Sequence, residues 1–155
     1  VPVLSEEVRL RDPLLAVAED YETLPLDARA FLGEVPAVPG FRRVENFPAY
    51  VERKLYVHNM GHAVAAYLGC RERCGYIHEA LALPQLRQTV EGAMLEAGEA
   101  LCRKHDFSRE EMREHRDNLL RRFANAELGD TVARVAKDPV RKLRPDDRLV
   151  GAGLT

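Results

Sequence analysis

Lys54, Asn59 and His62 interrupt the otherwise apolar run KLYVHNMGHAVAAYLG, residues 54–69. Their types suit one kind of chemistry. A lysine in a dry pocket loses part of its preference for the charged form and can act as a base near neutral pH. An asparagine amide and an imidazole N–H can both donate to a single oxygen on which charge develops. A base beside two such donors suits oxidation of a secondary alcohol, with hydride leaving to a cofactor. On a regular helix each residue turns by about 100° and rises about 1.5 Å. With Lys54 at zero, Asn59 falls near ~140° and His62 near ~80°, within less than half the circumference. Lys54 and His62 are then roughly 12 Å apart along the axis, a gap that the flexible lysine stem largely covers. Gly61 leaves room for a close approach to the backbone. The alternative is structural: a snorkelling lysine, an asparagine at a helix break and a satisfied core histidine.

These residues need a helix to hold them. NFPAYVERKLYVHNMGHAVAAYLG offers one, with Asn46 as N-cap, Pro48 early and Gly69 as its stop. Leu55, Val64, Ala65 and Leu68 keep helical spacing along it. A second helical region, YIHEALALPQLRQTVEGAMLEAGEALCRKH, is interrupted near Pro84. SREEMREHRDNLLRRFAN opens with Ser108 and Glu111 in a capping box and sets Leu119, Leu120 and Phe123 on one face. DTVARVAKDPVRKL predicts a shorter helix broken at Pro139. Residues 1–45 differ: Pro2, Pro13, Pro25, Pro36 and Pro39, with Pro48 just beyond, exclude a long helix. There PLLAVAEDY and ETLPLDARAF read as short extended segments and GEVPAVPG as a loop. The expectation is an extended arm, residues 1–45, and a helical domain, residues 46–155. The start lacks an initiator Met and a leader pattern, and DRLVGAGLT reads as a loose tail without caps. Both ends suggest a piece of a longer chain.

The run FPAYVERKLYVHNMGHAVAAYLG resembles the C-terminal domain of the long-chain polyol dehydrogenases, the mannitol dehydrogenase family. The resemblance continues through EGAMLEAGEAL, RRFANAELGDTVARVAKDPVRKL and DRL, and DPLLAVAEDYETLPLD fits as well, so nearly the whole chain is covered. Its most specific element is the lysine, four residues, asparagine, two residues, histidine pattern. The resemblance implies a mainly α fold similar to the C-terminal domain of 6-phosphogluconate dehydrogenase, with a short extended or β arm that packs on an N-terminal Rossmann domain. It implies that NAD is bound mainly by that other domain and that no metal is used. Lys54 is implied as general base, with Asn59 and His62 holding the reacting oxygen. Arg134 and Lys142 match positions that contact the polyol, and Arg141 or Lys142 suits a phosphate. The implied reaction is reversible oxidation of mannitol 1-phosphate to fructose 6-phosphate. Oxidation of free mannitol, reduction of a hexuronate and a helical interaction domain without chemistry stay open. For Arg134, Arg141 and Lys142 an ordinary solvated basic face is the other reading.

Two departures matter. Some members place a glutamate three residues before the lysine; here that position is Val51, with Glu52 beside it. None of the ten glycines falls in a G-x-G-x-x-G pattern; GAG at 151–153 comes nearest. The chain alone is therefore expected to be inactive and to bind NAD weakly or not at all.

Composition narrows the rest. With 155 residues, 46% hydrophobic and 31% charged, the chain suits one soluble domain with a core. A net charge of −2 gives no bulk basic field for nucleic acid, and no run is long and apolar enough for a membrane span. Three cysteines, Cys70, Cys74 and Cys102, read as reduced thiols in a cytoplasmic protein. Cys70, Cys74 and His78 would form a soft-ligand stripe on one helix, although Gly69 and Gly75 interrupt it. The mixed signs of SREEMREHRDNLLRR suit a solvated face.

Overall fold

The computed structural model describes residues 10–12, 14–15, 23–34 and 37–155. PLLAVAEDY therefore lies largely outside the described residues. Two strands form a parallel pair, β1 (Leu24–Asp27) and β2 (Phe41–Val44), with Leu24 opposite Phe41 and Asp27 opposite Val44. ETLPLDARAF is thus extended only in part, because Asp27 caps a short 3-10 turn at Ala28–Ala30. Everything described after β2 that has regular structure, apart from a single bridge between Tyr76 and Thr131, is helical. The domain is mainly α, as the periodicity predicts.

One rod carries the opening residues. It consists of α1 (Phe47–Arg53), a wider i→i+5 segment at Lys54–Asn59, and α2 (Met60–Arg71). Pro48 sits in its first turn, where no backbone donor is missed, but Asn46 makes no side-chain cap bond. The rod also runs past Gly69. It ends in a turn where Arg73 takes a left-handed φ of 59°, its N–H donates to Cys70 O at 3.1 Å, and Cys74 N–H donates to Gly69 O at 2.9 Å. This is the helix end that glycine usually makes. Gly69 instead allows close packing: a Cβ there would lie 2.9 Å from that of Ala80.

Then follow α3 (Ile77–Ala82), α4 (Pro84–Lys104) and α5 (Arg109–Phe123). Pro84 separates the first two and opens α4. The capping box of α5 forms as the sequence predicts: Glu111 N–H donates to Ser108 Oγ at 3.0 Å, and Ser108 N–H donates to Glu111 Oε2 at 3.2 Å. Helix α4 is central. Its stripe of Val90, Met94, Ala97 and Leu101 is buried against α2, α3, α5 and the wide segment. A fully buried side chain of this kind contributes about 1.5–3 kcal/mol. The close approach at Gly61 is made by this core, since a Cβ there would meet Met94 Sδ at 2.6 Å.

The remaining chain is short pieces. The predicted helix over DTVARVAKDPVRKL splits into α6 (Val132–Val135) and α7 (Pro139–Lys142), because Pro139 begins a new turn after a left-handed Asp138. The tail is not loose: α8 (Val150–Leu154) packs buried Gly151 against the Tyr56 ring of the wide segment.

Candidate active site

The wide segment changes the geometry of the lysine, asparagine and histidine. An i→i+5 turn takes in more residues than a regular one, so angles of 100° per residue do not hold from Lys54 to Asn59. Lys54, exposed at the start of the segment, and His58 line one cleft of about 300 Å³. Leu24 and Pro25 of β1 close one side, and His115 and Arg122 of α5 form another part of its wall. Asn59 is half-buried at the end of the segment. His62, on the first turn of α2, stacks on Phe123 of α5 with ring centroids 4.6 Å apart and planes 15° from parallel. The His58 ring lies 6.3 Å from that of His62 and 5.7 Å from that of Phe123.

A carboxylate that the sequence reading passed over anchors His62. Asp130 Oδ2 lies 2.7 Å from His62 Nε2. The oxygen sits off the hydrogen-bonding direction of that nitrogen, so the contact is a close electrostatic one rather than a linear hydrogen bond. The other oxygen, Asp130 Oδ1, accepts from Arg134 Nε at 2.9 Å and also from Arg134 Nη2. Burial works to raise the Asp130 pKa, but His62 and Arg134 outweigh it and hold the carboxyl below its ordinary value. The structure therefore brings Lys54, His58, His62, Asp130 and Arg134 into one continuous run. An i, i+4 spacing of Asp130 and Arg134 was the available signal for the pair.

His115 also escaped the sequence reading, since α5 reads as a solvated charged helix. Burial, followed by the nearby Arg53, His58 and Arg122, pushes its imidazole down to about 3. It is neutral at pH 7, and its buried Nε2 has no hydrogen-bond partner among the described residues.

Lys142 and Arg141 form a second cluster. Lys142 is only 4% exposed, and its Nζ stands 6.0 Å from the centre of the Tyr67 ring. Burial, then Arg148 and Arg141, lower its pKa against the pull of Asp138 and Asp147. Arg141 donates to Asp138 Oδ2 at 2.7 Å and to Asp147 Oδ2 at 3.4 Å. Glu52 is turned to other work: it accepts from Lys104 Nζ at 3.0 Å and lies 2.8 Å from His105 Nε2, at the end of α4. Val51, not Glu52, lines the cleft with Lys54. Cys70, Cys74 and His78 fall on α2, the turn after it and α3, so they share no helix face. Among the described residues no three potential ligands group around a metal-sized space.

A mainly helical domain with this lysine, asparagine and histidine on one rod matches the mannitol dehydrogenase C-terminal domain over residues 46–152, and the chain belongs to that family. The mannitol-1-phosphate 5-dehydrogenase of Bacillus licheniformis is 42% identical over 140 residues, covering 90% of this chain and 37% of the relative. The enzyme of that name from Bacillus pumilus is 39% identical over 151 residues, 97% of this chain and 39% of its own length. That of Geobacillus thermodenitrificans is 38% identical over 139 residues, 90% and 36% respectively. The chain thus spans less than two-fifths of the length of these relatives. No helix among the described residues is long and apolar enough to cross a membrane.

Proposed function

We propose that this chain is the substrate-binding and catalytic domain of an NAD-dependent polyol-phosphate dehydrogenase that interconverts mannitol 1-phosphate and fructose 6-phosphate. The observation that carries the reading is the continuous run from Lys54 and His58 through His62 to Asp130 and Arg134. The substrate is the one for which these relatives are named. Lys54 takes the proton of the reacting hydroxyl, and Asn59 and His62 hold the same oxygen. Arg134 and Lys142 are assigned to the polyol and its phosphate; Arg141 would first have to leave Asp138 and Asp147. Arg53 and Arg122 beside Lys54 in the cleft favour an anionic substrate.

NAD would supply the hydride acceptor. The described residues contain no glycine-rich turn leading from a strand into a helix, so they do not fit its pyrophosphate. We assign NAD to a Rossmann domain outside this chain, with residues 1–45 packed on it. What this chain supplies is proton transfer and positioning, without a metal. Its three free cysteines suit a reducing compartment, and we place the protein in the cytoplasm.

The test is kinetic. In the full-length protein, Lys54→Ala should lower turnover by about 10²–10⁴-fold at every pH, the usual worth of a general base. Parallel assays with phosphorylated and free polyols should favour the phosphorylated ones. Unchanged turnover in Lys54→Ala would remove the base assignment.

A further inference from the structure

We infer that Asp130 is a positioning residue: one carboxylate fixes both the His62 ring and the Arg134 guanidinium. The inference rests on the reading of His62 and Arg134 as substrate contacts. The two come from separate elements, α2 and α6, and nothing in their own backbones sets their relative place. Asp130 joins them, with Oδ2 at 2.7 Å from His62 Nε2 and Oδ1 bonded to Arg134. The carboxylate is itself held. Its backbone oxygen accepts from Ile77 N–H at 2.9 Å, and the next residue, Thr131, bridges Tyr76 and caps α6. Its side chain is only 17% exposed, so water competes little for it.

The consequence for His62 is chemical. A carboxylate only accepts, so its negative charge 2.7 Å from Nε2 favours the proton on that ring nitrogen. Phe123, stacked on the ring at 4.6 Å, blocks rotation out of that plane. His62 thereby presents its other nitrogen, Nδ1, in a fixed orientation, as orienting carboxylates do for histidines in other sites. The same carboxylate keeps Arg134 extended along it and takes part of its charge. Removing the charge of Asp130 would release both groups together.

The experiment uses the full-length protein. In Asp130→Asn the ¹⁵N spectrum of the His62 ring should change from the single Nε2–H form to a mixture of tautomers, and turnover should fall at least about tenfold. Asp130→Glu, which keeps the charge, should retain the Nε2–H form and covers the case in which the asparagine variant does not fold. An unchanged His62 spectrum in Asp130→Asn, turnover within about twofold of the parent, or a loss that only tracks the unfolded fraction would overturn the inference. His62→Ala separates the two readings. If that variant keeps full activity, the assignment of His62 to substrate fails, while the ring spectrum still decides whether Asp130 sets the tautomer.

Discussion

His115 shows how a single buried group can tie the site to pH. The unfolded imidazole titrates near 6.5, whereas the folded one is held down to about 3. A depressed folded value means that stability is complete above about pH 6.5 and is lost as pH falls from there toward 3, because only the unfolded chain takes the proton. Each pH unit in that window costs up to about 1.4 kcal/mol, or about 2 kcal/mol at pH 5. His115→Gln should therefore narrow the difference in urea midpoint between pH 7.5 and pH 5; an equal difference in both proteins would show that His115 titrates normally. Nothing in the sequence displayed this. The lysine, asparagine and histidine are close in sequence, so their pattern was readable. His58 lies on the same segment as the lysine and asparagine, whereas His115 on α5 and Asp130 just before α6 come from distant parts of the chain, and only the packing of those parts on the rod brings them to the site.

The rod illustrates what is legible in an element and what is hidden. Apolar spacing, Pro48 and the capping box of α5 predicted helices in the right places, because they act within a few residues. The wide segment at Lys54–Asn59 left no mark, since an enlarged turn keeps the segment helical and shifts only which face each side chain takes. Gly69 misled for a related reason. Glycine both ends helices and lets them touch, and only the contact partner tells the two apart. A Cβ on Gly69 would meet Ala80 Cβ at 2.9 Å and Val132 Cγ2 at 3.3 Å, and neither neighbour can bend away. Overpacking of this kind costs about 1–3 kcal/mol, and the better helix propensity of alanine returns only about 1. Gly92 lies in the middle of α4 with nothing within 4 Å of its would-be Cβ. Gly69→Ala should accordingly lower the melting temperature by about 2 °C or more, and Gly92→Ala should raise it by a similar amount. A rise in both would mean that Gly69 is not a packing contact.

At the scale of the whole molecule, the two-stranded sheet is the element least able to account for itself. Parallel strands are found almost only in larger sheets covered on both faces, and a lone pair of strands is at best marginal in water. Here β1 and β2 leave Leu24 51% and Phe41 40% exposed, and Leu32 in the connection is fully open. Only Val44, at the end of β2, is buried, although β1 also packs on α1 and helps wall the Lys54 cleft. The helical core has no such debt, since Val90, Met94 and Leu101 are closed on every side by neighbouring helices. This contrast fits our proposal that the arm is the docking element for a cofactor domain outside this chain. Amide hydrogen exchange can separate the two parts. In the isolated chain the amides of Leu24–Asp27 and Phe41–Val44 should exchange much faster than those of Val90–Leu101, and in the full-length protein the strand amides should slow while the helical ones stay as they are. Strand amides equally protected in both would show that the sheet stands without a partner, and the Lys54 cleft would then owe its form to this domain alone.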